Sequence, residues 1–187
     1  TVTITGSTTT TTVDVTAADT HTFTFNGSAA NLGGLEVSHN TTFSGAMGAT
    51  YGLATINVDN TRLAKFSEAV TATTITLTGD AEFSKAVTST TIALVAGKAT
   101  FNNTAAVTIA GAITETSGAT ELAVTDTADN AGALTTFSGA VTVDTITIGA
   151  TAKAGIALFN STVAGAATIH GGNVAAEDSK MEVTTDY

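Results

Sequence analysis

The sequence predicts an all-β chain wound as a β-solenoid, and three observations carry that prediction. The first is a repeated apolar template. Phe66, Val70, Ile75 and Leu77 recur as Phe83, Val87, Ile92 and Leu94, and again as Phe137, Val141, Ile146 and Ile148, always at the same offsets. The second is composition: of 187 residues 43% are hydrophobic but only 5% aromatic, with no Trp, so the core must be thin and aliphatic. Thr, Val and Ile favour strands. The third is the lack of any stretch with sustained i, i+3, i+4, i+7 apolar spacing, which argues against helix. A short unit that cannot bury its apolar face alone must stack on copies of itself. A β-sandwich or jelly roll is the alternative, because short Thr/Val strands between Gly turns suit it too.

The elements follow in order. Residues 1–15 alternate Val2, Ile4, Val13 and Val15 with Thr and carry one charge, Asp14. Nothing blunts this edge, for the chain has no Pro and the segment no Lys. It is read as an extended strand suited to donation into the next subunit, with Val2, Ile4, Val13 and Val15 as interface residues. The competing account makes it the first coil of its own subunit.

Residues 16–170 form the repeat body. Up to residue 60 the template is degenerate, with Phe43-Ser-Gly-Ala and Ile56-Asn-Val58 as an imperfect coil. Beyond it, coil starts are set at Phe66, Phe83, Phe101, Leu122, Phe137 and Phe159, a repeat of about 17–22 residues with insertions at corners. Side chains alternate faces along a strand. The first and second template positions share one parity and the third and fourth the other, so a corner must lie between, at Thr71 to Thr74 and Thr88 to Thr91. Phe66, Phe83, Phe101 and Phe137 should then stack in one interior column. Residues 171–187, more polar, are read as a cap or tail.

Few residues suggest chemistry. His21, His39 and His170 lie far apart and match no metal-ligand spacing. Asp126, Asp129 and Asn130 offer oxygen ligands to Ca²⁺ from one stretch but lack the loop spacing of a calcium motif, so a solvated acidic loop and no cofactor are expected. Glu68 and Glu82 occupy different template positions beside Lys65 and Lys85, as exposed charges would. No G-x-S-x-G nucleophile pattern occurs. The chain is therefore not expected to be an enzyme. Asn26, Asn40, Asn102 and Asn160 match the N-glycosylation acceptor pattern and are candidate sites of glycan modification. Thr74-Ile-Thr76 and Thr145-Ile-Thr147 suggest an outward Thr ladder on one flat face, interrupted where Ala93 and Ala110 replace Thr.

A net charge of −10 with only six Lys plus Arg repels nucleic acid and anionic membranes. No apolar run approaches the roughly 18 residues of a spanning helix, so no membrane insertion is expected. Cys is absent, which removes disulfides and thiol chemistry. The start at Thr1 without Met is read as processing of an exported chain. Charged residues are 12% and mean hydropathy is +0.30, so little charge keeps β edges apart.

The Ala-Thr-Phe, Ala-Val-Thr and Thr-Ile-x-Leu phrasing over about residues 60–170 resembles the Thr/Ala/Gly/Val-rich repeats of bacterial cell-surface proteins, namely surface-layer proteins and autotransporter passenger regions. The chain departs from autotransporters in lacking a membrane-barrel segment. The resemblance implies an extracellular, cell-surface location and a structural role, with no catalytic residues to carry over. The expected function is a structural subunit of a filament, sheath or surface layer, a homopolymer whose partner is itself. The alternatives are a glycan-binding adhesin and, more remotely, an ice-binding solenoid.

Overall fold

The computed structural model describes residues 2–4, 12–15, 20–21, 24–125, 133–150, 153–170 and 179–184. Its strands run in chain order as follows. β1 (Val2–Ile4), β2 (Thr12–Val15) and β3 (Thr20–His21) open the chain, and β4 (Phe25–Gly27), β5 (Gly34–Val37) and β6 (Thr41–Phe43) make the next circuit. Then come β7 (Leu53–Val58), β8 (Leu63–Phe66), β9 (Val70–Leu77), β10 (Asp80–Phe83), β11 (Val87–Leu94), β12 (Lys98–Phe101) and β13 (Val107–Glu115). β14 (Glu121–Val124), β15 (Leu134–Phe137), β16 (Val141–Ile148), β17 (Ile156–Phe159), β18 (Val163–Ile169) and β19 (Lys180–Val183) complete the set. All the ladders between these strands are parallel, and the chain winds through about seven turns of a β-solenoid.

The cross-section has three sides. The first face stacks β1 and β4, a bridge at Met47, the opening halves of β9, β11 and β13, and then β15, β17 and β19. The second stacks β2, β5 and β7, the closing halves of β9, β11 and β13, and the opening halves of β16 and β18. The third stacks β3, β6, β8, β10, β12 and β14, followed by the closing halves of β16 and β18. β13 shows the bend directly, because Val107 to Ile109 pair with β15 while Ile113 and Thr114 pair with β16. The corner falls where the change of parity requires. β9 runs buried, half-buried, buried and then has two half-buried residues, Thr73 and Thr74, before the alternation resumes in opposite phase.

One core fills the prism. Inward positions such as Leu35, Ile56, Ile75, Ile92 and Ile113 are fully buried one above another on the second face. Phe43, Phe66, Phe83 and Phe101 stack on the third face, with ring centroids 5.2 to 5.4 Å apart and planes within 19° of parallel. Phe137 continues this column, but edge-on: its centroid lies 5.3 Å from that of Phe101 at 82°.

That edge-on joint marks a phase slip that corrects two expectations. Leu122 does not start a coil beneath the Phe column; it pairs with Ala99 and Ile146, and Val124 takes the place next to Phe101. Phe137 instead arrives on the first face over Ile109, so the third copy of the template is mounted one face further round the prism than the first two. Val141 lies on the second face, while Ile146 and Ile148 lie on the third. The cause is chain length. The segment between Phe101 and Phe137 spans one turn and one extra side, and an apolar interior accepts the same alternation from any of its three walls. The aromatic contact survives because edge-to-face rings at 4.5–7 Å are as favourable as offset stacks.

Candidate functional site

The outer faces carry side chains in columns, since in-register parallel strands place like positions above one another. On the third face Lys65 pairs with Glu82 and Lys98 with Glu121, each at 2.9 Å between successive coils. These partly exposed pairs contribute about 0.2–1 kcal/mol each. On the second face the outward columns read Thr55, Thr74, Thr91, Ala112 and Asn57, Thr76, Ala93, Thr114. Thr145 and Thr147 belong to the third face and Thr108 to the first, so the Thr-Ile-Thr triplets do not share one ladder.

The residues weighed for chemistry stay apart. Glu82 is held by Lys65, while Glu68 is exposed at the next corner. His39 is half-buried, with Nδ1 lacking a hydrogen-bond partner among the described residues, and His170 is exposed. Among the described residues no group of three or more His, Cys, Asp or Glu is placed to hold a metal. Asp126, Asp129 and Asn130, the Ca²⁺ candidates, lie outside the described residues, as does the side chain of His21.

The four acceptor asparagines divide. Asn26 is 5% exposed and its Oδ1 accepts the Thr50 amide at 2.9 Å, so a glycan has no room there and this candidate is withdrawn. Asn40 and Asn160 are exposed, and Asn102 is half-buried. All three engage the adjacent coil through Oδ1: Asn40 accepts from the Leu63 amide, Asn102 from Ser84 Oγ and Asn160 from Thr184 Oγ1. These bonds rivet corner to corner.

One polar groove crosses the corner between the second and third faces. It has a volume of about 230 Å³ and is lined by Asn40, Asn60, Thr61, Arg62, Thr78 and Asp80 among others. Thr61 stands at φ +63°, unusual for a β-branched residue. Arg62 is the sole Arg of the chain and makes no ion pair among the described residues.

The two ends of the prism differ from its middle. β18 pairs with β16 and β19 with β17, each on one side only among the described residues. Ile169 and Val183 are 50% and 45% exposed, whereas Ile148 and Phe159, one coil below in the same columns, are fully buried. Val163 and Met181 are half-buried beside them. Lys180 and Thr184 give their amides to Gly155 and Phe159, and His170 gives its amide to Ile148, so these outward residues bond back toward the body. Backbone direction alternates along a parallel ladder; the N–H and C=O groups of the inward residues Ile169, Met181 and Val183 therefore face the open side.

At the opposite end, the sequence-derived interface residues lie in the first coil of their own chain. Val2 and Ile4 are on β1, in register with Phe25 and Gly27 of β4, and Val13 and Val15 are on β2, in register with Leu35 and Val37 of β5. The Val15 carbonyl accepts the Ser38 amide at 3.2 Å. The apolar residues of the far end were missed in the sequence, although the alternation Lys180-Met-Glu-Val183 signals a strand. Comparison with family models, with curated proteins and with solved structures returns no match to this chain.

Proposed function

We propose that this chain is a structural subunit of a secreted extracellular assembly, a filament, sheath or surface layer, whose copies join through the open ends of the solenoid. The observation that carries the reading is the far end, where half-exposed Ile169 and Val183 continue fully buried columns and two strands are left paired on one side only among the described residues. Such an edge recruits another strand unless charge, Pro or a covering element blunts it; β18 carries no charged residue, while the Lys180 and Glu182 of β19 pair with each other at 3.0 Å. Covering it with one further coil buries large side chains worth about 1.5–3 kcal/mol each and adds backbone hydrogen bonds of about 0.5–1.5 kcal/mol net. End stacking is favoured over strand donation because β1 and β2 already pair with β4 and β5 of their own chain. The weakly charged, Thr-rich outer columns accord with the resemblance to cell-surface repeats and with an extracellular location.

A second reading, a glycan-binding surface adhesin, draws on the polar groove around Arg62, whose amides and carboxylate suit hydroxyl-rich ligands. Sedimentation and electron microscopy of the purified chain across concentration decide between them. Assembly is expected to lengthen with concentration, and Ile169→Lys with Val183→Lys should abolish it while the far-ultraviolet spectrum of the fold persists. A monomer at every concentration that binds a glycan through Arg62 would overturn the structural reading.

A further inference from the structure

We propose that the groove at Arg62 binds a uronic acid unit of an acidic saccharide, with the guanidinium taking the sugar carboxylate while Asp80 and the groove's amides take the ring hydroxyls. The proposal rests on the glycan reading of this groove, narrows it to one class of sugar, and holds whether or not copies assemble.

Three observations converge on it. The first is how the chain builds the groove. Successive coils turn from the second face to the third at this corner, and the strand register fixes how much chain each one uses. Residues 38–39 cross it between Val37 and Asn40, and residues 78–79 between Leu77 and Asp80, but the coil between them takes residues 59–62, from Val58 to Leu63. The added residues stand out as a lip. The groove lies against it, lined from the following coils by Thr78, Gly79 and Ala96 and from the preceding one by Asn40. Insertions in stacked repeats gather on one side of the body, often the binding side.

The second is that the lip is held in a strained shape. The Arg62 amide donates to the Asp59 carbonyl at 3.1 Å and closes the turn, and the Arg62 carbonyl accepts the Asp80 amide at 2.7 Å. Gly79 lies so close that a Cβ there would strike the Asp59 and Arg62 carbonyl oxygens. Thr61 is thereby fixed at φ +63°, where a β-branched residue is an outlier. Asn31, the other non-Gly residue at positive φ among the described residues, is of a type that tolerates it. Strain of this kind persists where the surroundings over-determine it, and it clusters at ligand clamps.

The third is electrostatic. Arg62 is half-buried in a chain of net charge −10, yet its guanidinium has no ion pair among the described residues. Its planar fork matches a carboxylate through two parallel hydrogen bonds. The opposite capacity lines the same groove: Asp80 Oδ1 accepts the Lys98 amide at 3.0 Å, which leaves Oδ2 to accept from hydroxyls. Asn40 Oδ1 accepts the Leu63 amide at 2.9 Å, so its Nδ2 is the group left to donate. A bare anion would be opposed by Asp80, and a neutral sugar would leave Arg62 without a counter-charge. A ring that carries one carboxylate beside several hydroxyls satisfies both. The volume of about 230 Å³ lies below the roughly 300–1,000 Å³ of pockets for drug-sized ligands, so the groove takes a single ring.

Because Arg62 is the sole Arg, its Nε–H gives one resonance that reports on the site. Methyl galacturonide and methyl glucuronide are titrated into the full chain, followed by calorimetry and by that resonance, beside their methyl esters and neutral methyl galactoside. The two uronides are expected to bind and to shift the Arg62 resonance. Their esters, which keep every ring hydroxyl, should bind about tenfold more weakly or worse, since the charge-assisted pair is lost. Arg62→Gln should cancel the preference, and Arg62→Lys, which keeps the charge without the fork, should restore only part of it. The ester comparison uses the unaltered protein and stands even if a variant fails to fold. Neutral galactoside binding as tightly as the uronides, with the same shift at Arg62, would overturn the carboxylate and leave the glycan reading intact. A glutamate-rich peptide that binds through Arg62 more tightly than either uronide would overturn the sugar. No shift at Arg62 with any sugar would overturn both the uronate proposal and the glycan reading.

Discussion

Seven described phenylalanines thread the interior, and each touches the next at 4.8 to 5.9 Å. Two joints, Phe25 with Phe43 and Phe101 with Phe137, are edge-on at 84° and 82°, and both fall where the column changes wall. Ring orientation thus records backbone phase. Polar residues record position in another way. Glu36 stands in the outward column of the second face between Asp14 and Asn57. Partial burial pushes its carboxyl above the ordinary value of 4.5, with Asp59 and Asp14 adding to the rise, against the Asn57 amide, which donates to Oε2 at 3.0 Å. A group whose folded-state pKa is raised contributes stability that is full below its unfolded value and is lost as pH climbs through the folded one. Glu36→Gln is therefore expected to unfold at higher urea than the parent at pH 7, with the gap closing as pH falls below about 4.5. A gap that is constant with pH would sink the argument.

At the scale of the element, the unit is a strand that changes wall midway. β9, β11 and β16 make the corner with residues of ordinary backbone type, whereas β13 makes it at Gly111, φ +98°. A Cβ there would collide with the Ser89 carbonyl oxygen of the preceding coil. An L-residue in this region costs about 1–2 kcal/mol before any clash. Gly111→Ala is accordingly expected to lower stability by about 2 kcal/mol or more, while Thr108→Ser on the same strand stays within about 0.5 kcal/mol; urea titrations of the two variants check it. The solenoid, the inward residues of the repeated template and a corner within Thr71 to Thr74 were legible from sequence, because parity is a local property of the chain; the structure narrows that corner to Thr73 and Thr74. The wall on which Phe137 lands was not, since it depends on the summed length of everything after Phe101. Nor was the burial of Asn26: a three-residue motif does not reveal that its side chain must hold the Thr50 amide. The open far end was hidden differently, because its strand Lys180 to Val183 sits in a polar stretch and its partner, β17, lies more than twenty residues away.

At the scale of the molecule, each coil touches only the coils before and after it, so stability should behave as a sum of coil and junction contributions. That makes a deletion the sharpest test of the architecture. Removing residues 67–83 joins Phe66 to Ser84 and regenerates the Phe-Ser-x-Ala-Val wording at the seam. Each wall loses one strand, and each remaining neighbour meets an equivalent partner: Met47 meets Val87, Ile56 meets Ile92 and Phe66 meets Phe101. The shortened chain is expected to keep its β spectrum and to unfold with a denaturant slope lower by about a tenth, following the surface exposed. Deleting only residues 67–75 removes less chain but should do far more harm, because it displaces every later residue by part of a circuit and sets apolar columns against outward ones. If the larger deletion unfolds the protein and the smaller one is tolerated, the walls are not independent of the turns that join them, and the additive picture would not stand.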